Sequence, residues 1–139
     1  MSATIHSLRD KGGETEKLTV NLGFVDLGRI DLLVHENFYS NRSDFIRTAI
    51  RRQLEVHSDV VAQSLARQTL ELGLRDYTAA ELERYRSAGE QIHIKVLGLA
   101  RIASDVTPEL AREVIGSITV LGALQASTQV KTALADRIR

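Results

Sequence analysis

The stretch Lys17-Leu18-Thr19-Val20-Asn21-Leu22 alternates polar and apolar residues without a break. Leu18, Val20 and Leu22 face one way and Lys17, Thr19 and Asn21 the other, the period of a half-buried strand with β-branched content. Gly23 ends it. A strand this short is not stable by itself and needs a neighbour. Two helical patterns follow directly, so the strand has no partner in its own module. The simplest partner is the same strand of a second chain. Paired antiparallel across a two-fold axis, the two form a ribbon. Lys17, Thr19 and Asn21 of each chain then share one face, and Leu18, Val20 and Leu22 cover the helices on the other.

The first helix is expected over residues 25–37, where Leu27, Ile30, Val34 and Phe38 recur at helical spacing. Gly28 weakens it by about 1 kcal/mol relative to Ala. The second is expected from Asn41 to about His57, continuing as a connecting helix over 58–67. Asn41 is a good N-cap, and Asp44 three residues on completes a capping-box pattern with Asp in place of Glu. Phe45, Ile46, Ala49, Ile50 and Leu54 form its apolar stripe. Arg42, Arg47, Arg51 and Arg52 lie mostly off that stripe.

A two-stranded ribbon fits the major groove of duplex DNA. Lys can donate to guanine, Asn can pair with adenine, and Thr can make polar or methyl contacts. A helix N-terminus is a phosphate site, and Arg42 adds charge there. Phosphate contacts position the ribbon while the three strand side chains specify sequence. Alternating Lys-Thr-Asn is also what a solvated strand face looks like. The Asn41-Arg42-Ser43-Asp44 signal and two helices of suitable length favour DNA readout.

Lys17-Leu-Thr-Val-Asn-Leu22, a helix, and Tyr39-Ser-Asn-Arg-Ser-Asp-Phe-Ile-Arg47 together resemble the CopG/MetJ/NikR ribbon-helix-helix family of prokaryotic regulators. The resemblance covers residues 16–57. It implies an obligate dimer, base contacts from Lys17, Thr19 and Asn21, and phosphate anchoring around Asn41, Arg42 and Ser43; Arg47 is the best further phosphate candidate. The chain departs from the family at Phe38, where Gly is common, and at Gly23-Phe24, where Pro or an acidic residue is usual.

Residues 68–139 are organised differently. Ile94-Lys-Val-Leu-Gly98 aligns with Ile118-Thr-Val-Leu-Gly122, a period of 24 residues. The match continues at Val106/Val130, Leu110/Leu134 and Ala111/Ala135, and a weaker copy begins at Leu70-Glu-Leu-Gly-Leu74. Each unit reads as strand, Gly and helix. Thr78…Glu81 and Thr107-Pro108 mark helix starts. Such repeats predict stacked strand–helix units with parallel strands and right-handed crossovers. The apolar run at 92–97 suggests a strand covered on both faces.

The chain of 139 residues is 43% hydrophobic and 26% charged, a globular composition. Zero net charge is unusual for a DNA-binding protein. The absence of cysteine removes disulfides, thiolate metal sites and cysteine nucleophiles. Residues 1–17 are polar, without the apolar core of a signal peptide, and no run is long enough to span a bilayer, which predicts a cytoplasmic protein with no membrane partner. The four histidines, His6, His35, His57 and His93, are not paired at ligand spacing, so no metal site and no cofactor is expected. Glu81/Glu83 and Glu109/Glu113 sit on amphipathic helices, and no nucleophile or phosphate-loop motif occurs, so no enzyme is expected either.

The expected architecture is therefore α+β. It comprises a flexible arm over 1–15, whose His6, Arg9 and Lys11 could touch phosphates, an intertwined ribbon-helix-helix dimer over 16–57, a connecting helix over 58–67, and three strand–helix units over 68–139. The expected function is a sequence-specific transcriptional regulator, a repressor, acting on double-stranded DNA as a homodimer. The C-terminal units would join dimers into tetramers or larger assemblies; the second reading for this half is regulation through a small-molecule sensor at the sheet's end, for which no convergent polar cluster speaks. The alternatives are an antitoxin with the same DNA-binding module, disfavoured by the capped, repeat-bearing C-terminal half, and a self-assembling scaffold that does not bind DNA.

Overall fold

A computed structural model describes residues 13–139. The expected arm lies almost wholly outside the described residues, and His6, Arg9 and Lys11 with it. The fold is α+β, with six helices and one three-stranded sheet among the described residues. The described residues divide into two compact units, Thr15–Ser64 and a second that joins residues 13–14 to Leu65–Arg139.

In the first unit, α1 (Phe24–His35) and α2 (Arg42–Val56) follow the segment 17–22, which makes no strand bonds among the described residues. α1 ends two residues earlier than its periodicity suggested, because Asn37 adopts a left-handed conformation with φ 65°. The amide of Asn37 then donates to Val34 O, and that of Phe38 to Leu33 O, each at 3.0 Å. This double bond pattern closes a helix with a left-handed residue after its last turn, a place Asn tolerates better than most residues. Asn37 thus supplies the turn that a glycine at position 38 would otherwise be expected to make. Tyr39 then stacks edge-on against Phe45, ring centroids 5.0 Å apart, fixing how the chain turns into α2.

α3 (Ser58–Gln68) continues after a break at His57. It stops at Thr69, whose φ of 54° is left-handed. A β-branched residue is strained there.

The second unit holds β1 (Glu71–Tyr77), α4 (Ala79–Ser87), β2 (Ile92–Ile102), α5 (Pro108–Val114), β3 (Ile115–Gln125) and α6 (Thr128–Ala133). The strands are parallel in the order β1-β2-β3. Thr78, Thr107 and Ser127 cap the three helices, their hydroxyls accepting from the amides of Glu81, Leu110 and Val130. The core is aliphatic: Ile94, Val96, Ala100 and Ile102 of β2 and Ile115 and Ile118 of β3 meet Leu82, Leu110, Ala111, Val114, Val130 and Leu134 from the helix side. Tyr77 joins this core.

The helices cover one face of the sheet only. His93 and Lys95 alternate with buried Ile94 and Val96 and are exposed, which corrects the expectation of a strand covered on both faces. The pattern at 92–97 is an alternation carrying two polar residues, and the open face takes them. β2 also runs to Ile102, well past 97. Gly73, Gly98 and Gly122 are register partners in neighbouring strands. Gly98 and Gly122 have φ of 137° and 123°, and a Cβ on either would lie 2.2 and 2.0 Å from the carbonyl oxygen of the glycine before it. No other residue fits that approach.

Candidate nucleic-acid interface

The unit Thr15–Ser64 has almost no interior. Ile30 is its only buried residue. Leu18 is 80% exposed, Val20 72% and Leu22 43%. Ile46, Ile50 and Leu54, the stripe of α2, are exposed as well. A patterned apolar face left in water is the mark of an interaction surface. The polar side of the segment is exposed too: Lys17, Thr19 and Asn21 have no solvent-excluding neighbour.

At the start of α2 the expected cap forms. Asn41 Oδ1 accepts from the Asp44 amide at 2.8 Å, and Asp44 Oδ2 accepts from the Ser40 amide at 2.9 Å. The reciprocal bond of the capping box thus reaches Ser40 and not Asn41. The amides of Arg42 and Ser43 belong to the first turn, where no intrahelical acceptor exists. They form the anion-attracting end of the helix.

The Arg42 side chain does not stand free. Its Nε and Nη2 donate to Asp31 Oδ1 and Oδ2 at 2.8 and 2.9 Å, a two-pronged bond from α2 back to α1. That hydrogen bond holds the Asp31 carboxyl below the ordinary carboxylate range and pushes the guanidinium up. Both groups are exposed, so the pair adds geometry more than stability. Arg47, Arg51 and Arg52 are exposed on α2. No spacing signal marks the Asp31–Arg42 pair, since the residues lie on different helices and are joined by a turn whose geometry depends on Asn37.

The remaining candidates resolve simply. His93 Nδ1 lies 2.8 Å from Ser117 Oγ, its register partner on β3, and His57 pairs with Gln53 one turn earlier. Among the described residues no group of three or more His, Cys, Asp or Glu could hold a metal ion. No helix among them is long and apolar enough to cross a membrane.

The pattern of the ribbon-helix-helix transcriptional regulator family matches residues 13–131. The chain belongs to this family, whose members are regulators and typically not enzymes; membership implies DNA binding and dimerisation. The match runs far beyond 16–57 and takes in all three strands of the second unit. No curated protein and no solved structure matches the chain significantly.

Proposed function

We propose that this protein is a sequence-specific repressor that lays a two-chain ribbon of residues 17–22 into the major groove. The observation that carries the reading is the exposed, alternating segment in a unit with one buried residue. Pairing it with a second copy gives the backbone its missing partners and removes Leu18, Val20 and Leu22 from water. It leaves Lys17, Thr19 and Asn21 outward, with groups suited to base edges. Asn41, the amides of Arg42 and Ser43, and the exposed Arg47 face the phosphates on this reading. Arg42 contributes there through its backbone, and through its side chain only by exchanging Asp31 for a phosphate.

The second unit, on this proposal, joins dimers into tetramers or larger assemblies, which raises avidity on tandem sites. Its own capped and packed core argues against an antitoxin tail, since such tails order on binding their toxin.

Selection of bound fragments from genomic DNA, followed by titration at several salt concentrations, tests the function. Phosphate contacts make affinity fall linearly with log salt. Asn21→Ala is expected to cost about 1–3 kcal/mol at one base position and to relax preference there. Arg47→Ala should weaken all sequences alike and shallow the salt slope by about one. Equal operator binding by the Asn21 variant and the parent refutes the ribbon, and salt-independent or absent binding favours the scaffold alternative.

A further inference from the structure

We infer that β1 of one chain adds, in parallel, to the outer edge of β3 of a second copy, extending the sheet in the register it already has. This rests on reading Leu65–Arg139 as the self-associating unit and names the surface it uses.

Among the described residues both outer strands have unpaired backbone positions. Among the described residues no strand pairs the free side of β1. Along β3 the only further bridge among the described residues is Ile118 to Ile138, where Ile118 donates to Arg137 O and accepts from the Arg139 amide. Open, apolar edges are where sheets recruit further strands. Here three leucines on these strands are in water, Leu72 71% exposed, Leu74 44% and Leu121 53%, beside the charged Glu71, Arg75 and Asp76 of β1.

The two edges also match position by position. Leu72 pairs with Leu97 and Leu97 with Leu121, while Leu74 pairs with Leu99 and Leu99 with Ala123. One more step of the same register sets Leu121 beside the next copy's Leu72 and Ala123 beside its Leu74. Glu71 would begin opposite Val120. The backbone of Arg137 to Arg139 bonds β3 at Ile118, two positions before Val120, and Gly13 O accepts from the Gln125 side chain at the strand's far end, so the backbone pairing positions from Val120 to Leu124 are not taken by these residues. Arg112 holds this segment in place through Asp136, at 2.6 and 3.1 Å, and Arg137 donates to Ile115 O at 2.7 Å.

The backbone at the edge is shaped for the same neighbour. Gly73 has φ 123°, like Gly98 and Gly122, yet nothing lies within 4 Å of where its Cβ would be. In the two inner cases that space is filled by the preceding glycine's carbonyl. A parallel strand offering a glycine carbonyl in this rank would fill the space at Gly73 as it is filled at Gly98 and Gly122, and β3 offers Gly122. Such a contact uses different surfaces on the two partners, so it builds open chains or closed rings and not an isolated pair.

The chain lacks cysteine, which permits a clean cross-linking test on the full-length protein. Leu72→Cys and Leu121→Cys chains are prepared separately and together, and treated with a short bifunctional thiol reagent. Sedimentation of the unlabelled protein is followed across concentration. The expected result is a covalent product from the mixture only, with species larger than a dimer that grow with concentration. A product from either variant alone overturns the inference, because it requires like edges to meet. Larger species without a product from the mixture also overturn it, while leaving self-association standing. A protein that stays dimeric at every concentration overturns both the edge pairing and the assembly role of this unit.

Discussion

Leu18→Ala is the sharpest probe of the ribbon. In the single chain Leu18 is 80% exposed, so truncating it should change the stability of a lone protomer by no more than about 0.5 kcal/mol, as for surface substitutions in general. In the paired ribbon the same side chain leaves water. The substitution removes about three methylene equivalents at about 0.8 kcal/mol each, roughly 2.4 kcal/mol if burial were complete. Scaling by the 80% still exposed gives about 2 kcal/mol per chain. A symmetric dimer carries the change twice, about 4 kcal/mol, which is on the order of a thousandfold in the dimer dissociation constant. Dilution monitored by sedimentation velocity or fluorescence anisotropy measures it. Leu18→Ala changing dimerisation by less than about threefold would refute the argument that this face is covered by a second chain.

The other expectations concern each unit separately. Thr69→Gly should stabilise the protein by about 1 kcal/mol, seen as a raised melting temperature, because it relieves a β-branched residue of its left-handed backbone; no gain would mean that the Thr69 hydroxyl bond to Gln68 O at 2.6 Å offsets the strain. Gly98→Ala should cost about 3 kcal/mol or more, since its methyl would overlap the Gly73 carbonyl at 2.2 Å. Gly28→Ala, on an exposed face of α1 with nothing within 4 Å, should instead gain about 1 kcal/mol. Burial pushes the Tyr77 phenol from 10.0 up to about 12, with Arg75 over the ring pulling the other way. A raised phenol pKa favours the folded state fully below the ordinary value of 10.0, and that contribution is lost as pH rises from there through about 12. Tyrosinate absorbance followed against pH should therefore show one late step, absent from Tyr77→Phe.

Local signals were strong enough to read from sequence where a cap or a period stood by itself. Asn41, Thr78 and Thr107 each accept from the amide three residues on, because capping depends only on a few neighbouring residues. The residue pairs aligned at 24-residue spacing, Ile94 with Ile118 and Gly98 with Gly122, are register partners on adjacent strands. Lengths were less legible: β2 runs on past Gly98 because Ala100 and Ile102 keep the same buried parity, which the glycine concealed. The open face of the sheet was misread because Leu97 next to Val96 made an alternation look continuous. In the candidate interface the residue types were legible and the side-chain geometry was not. Asp31 binds Arg42 through a turn set by Asn37, a tertiary relation that leaves no periodic trace.

The lone interior residue of the first unit, Ile30, carries a consequence for dosage. On the proposed dimeric reading, folding of that half and meeting a second chain are a single reaction, so at low abundance there is no folded reader waiting for a partner. The amount of competent regulator would then rise with the square of chain concentration in the dilute limit.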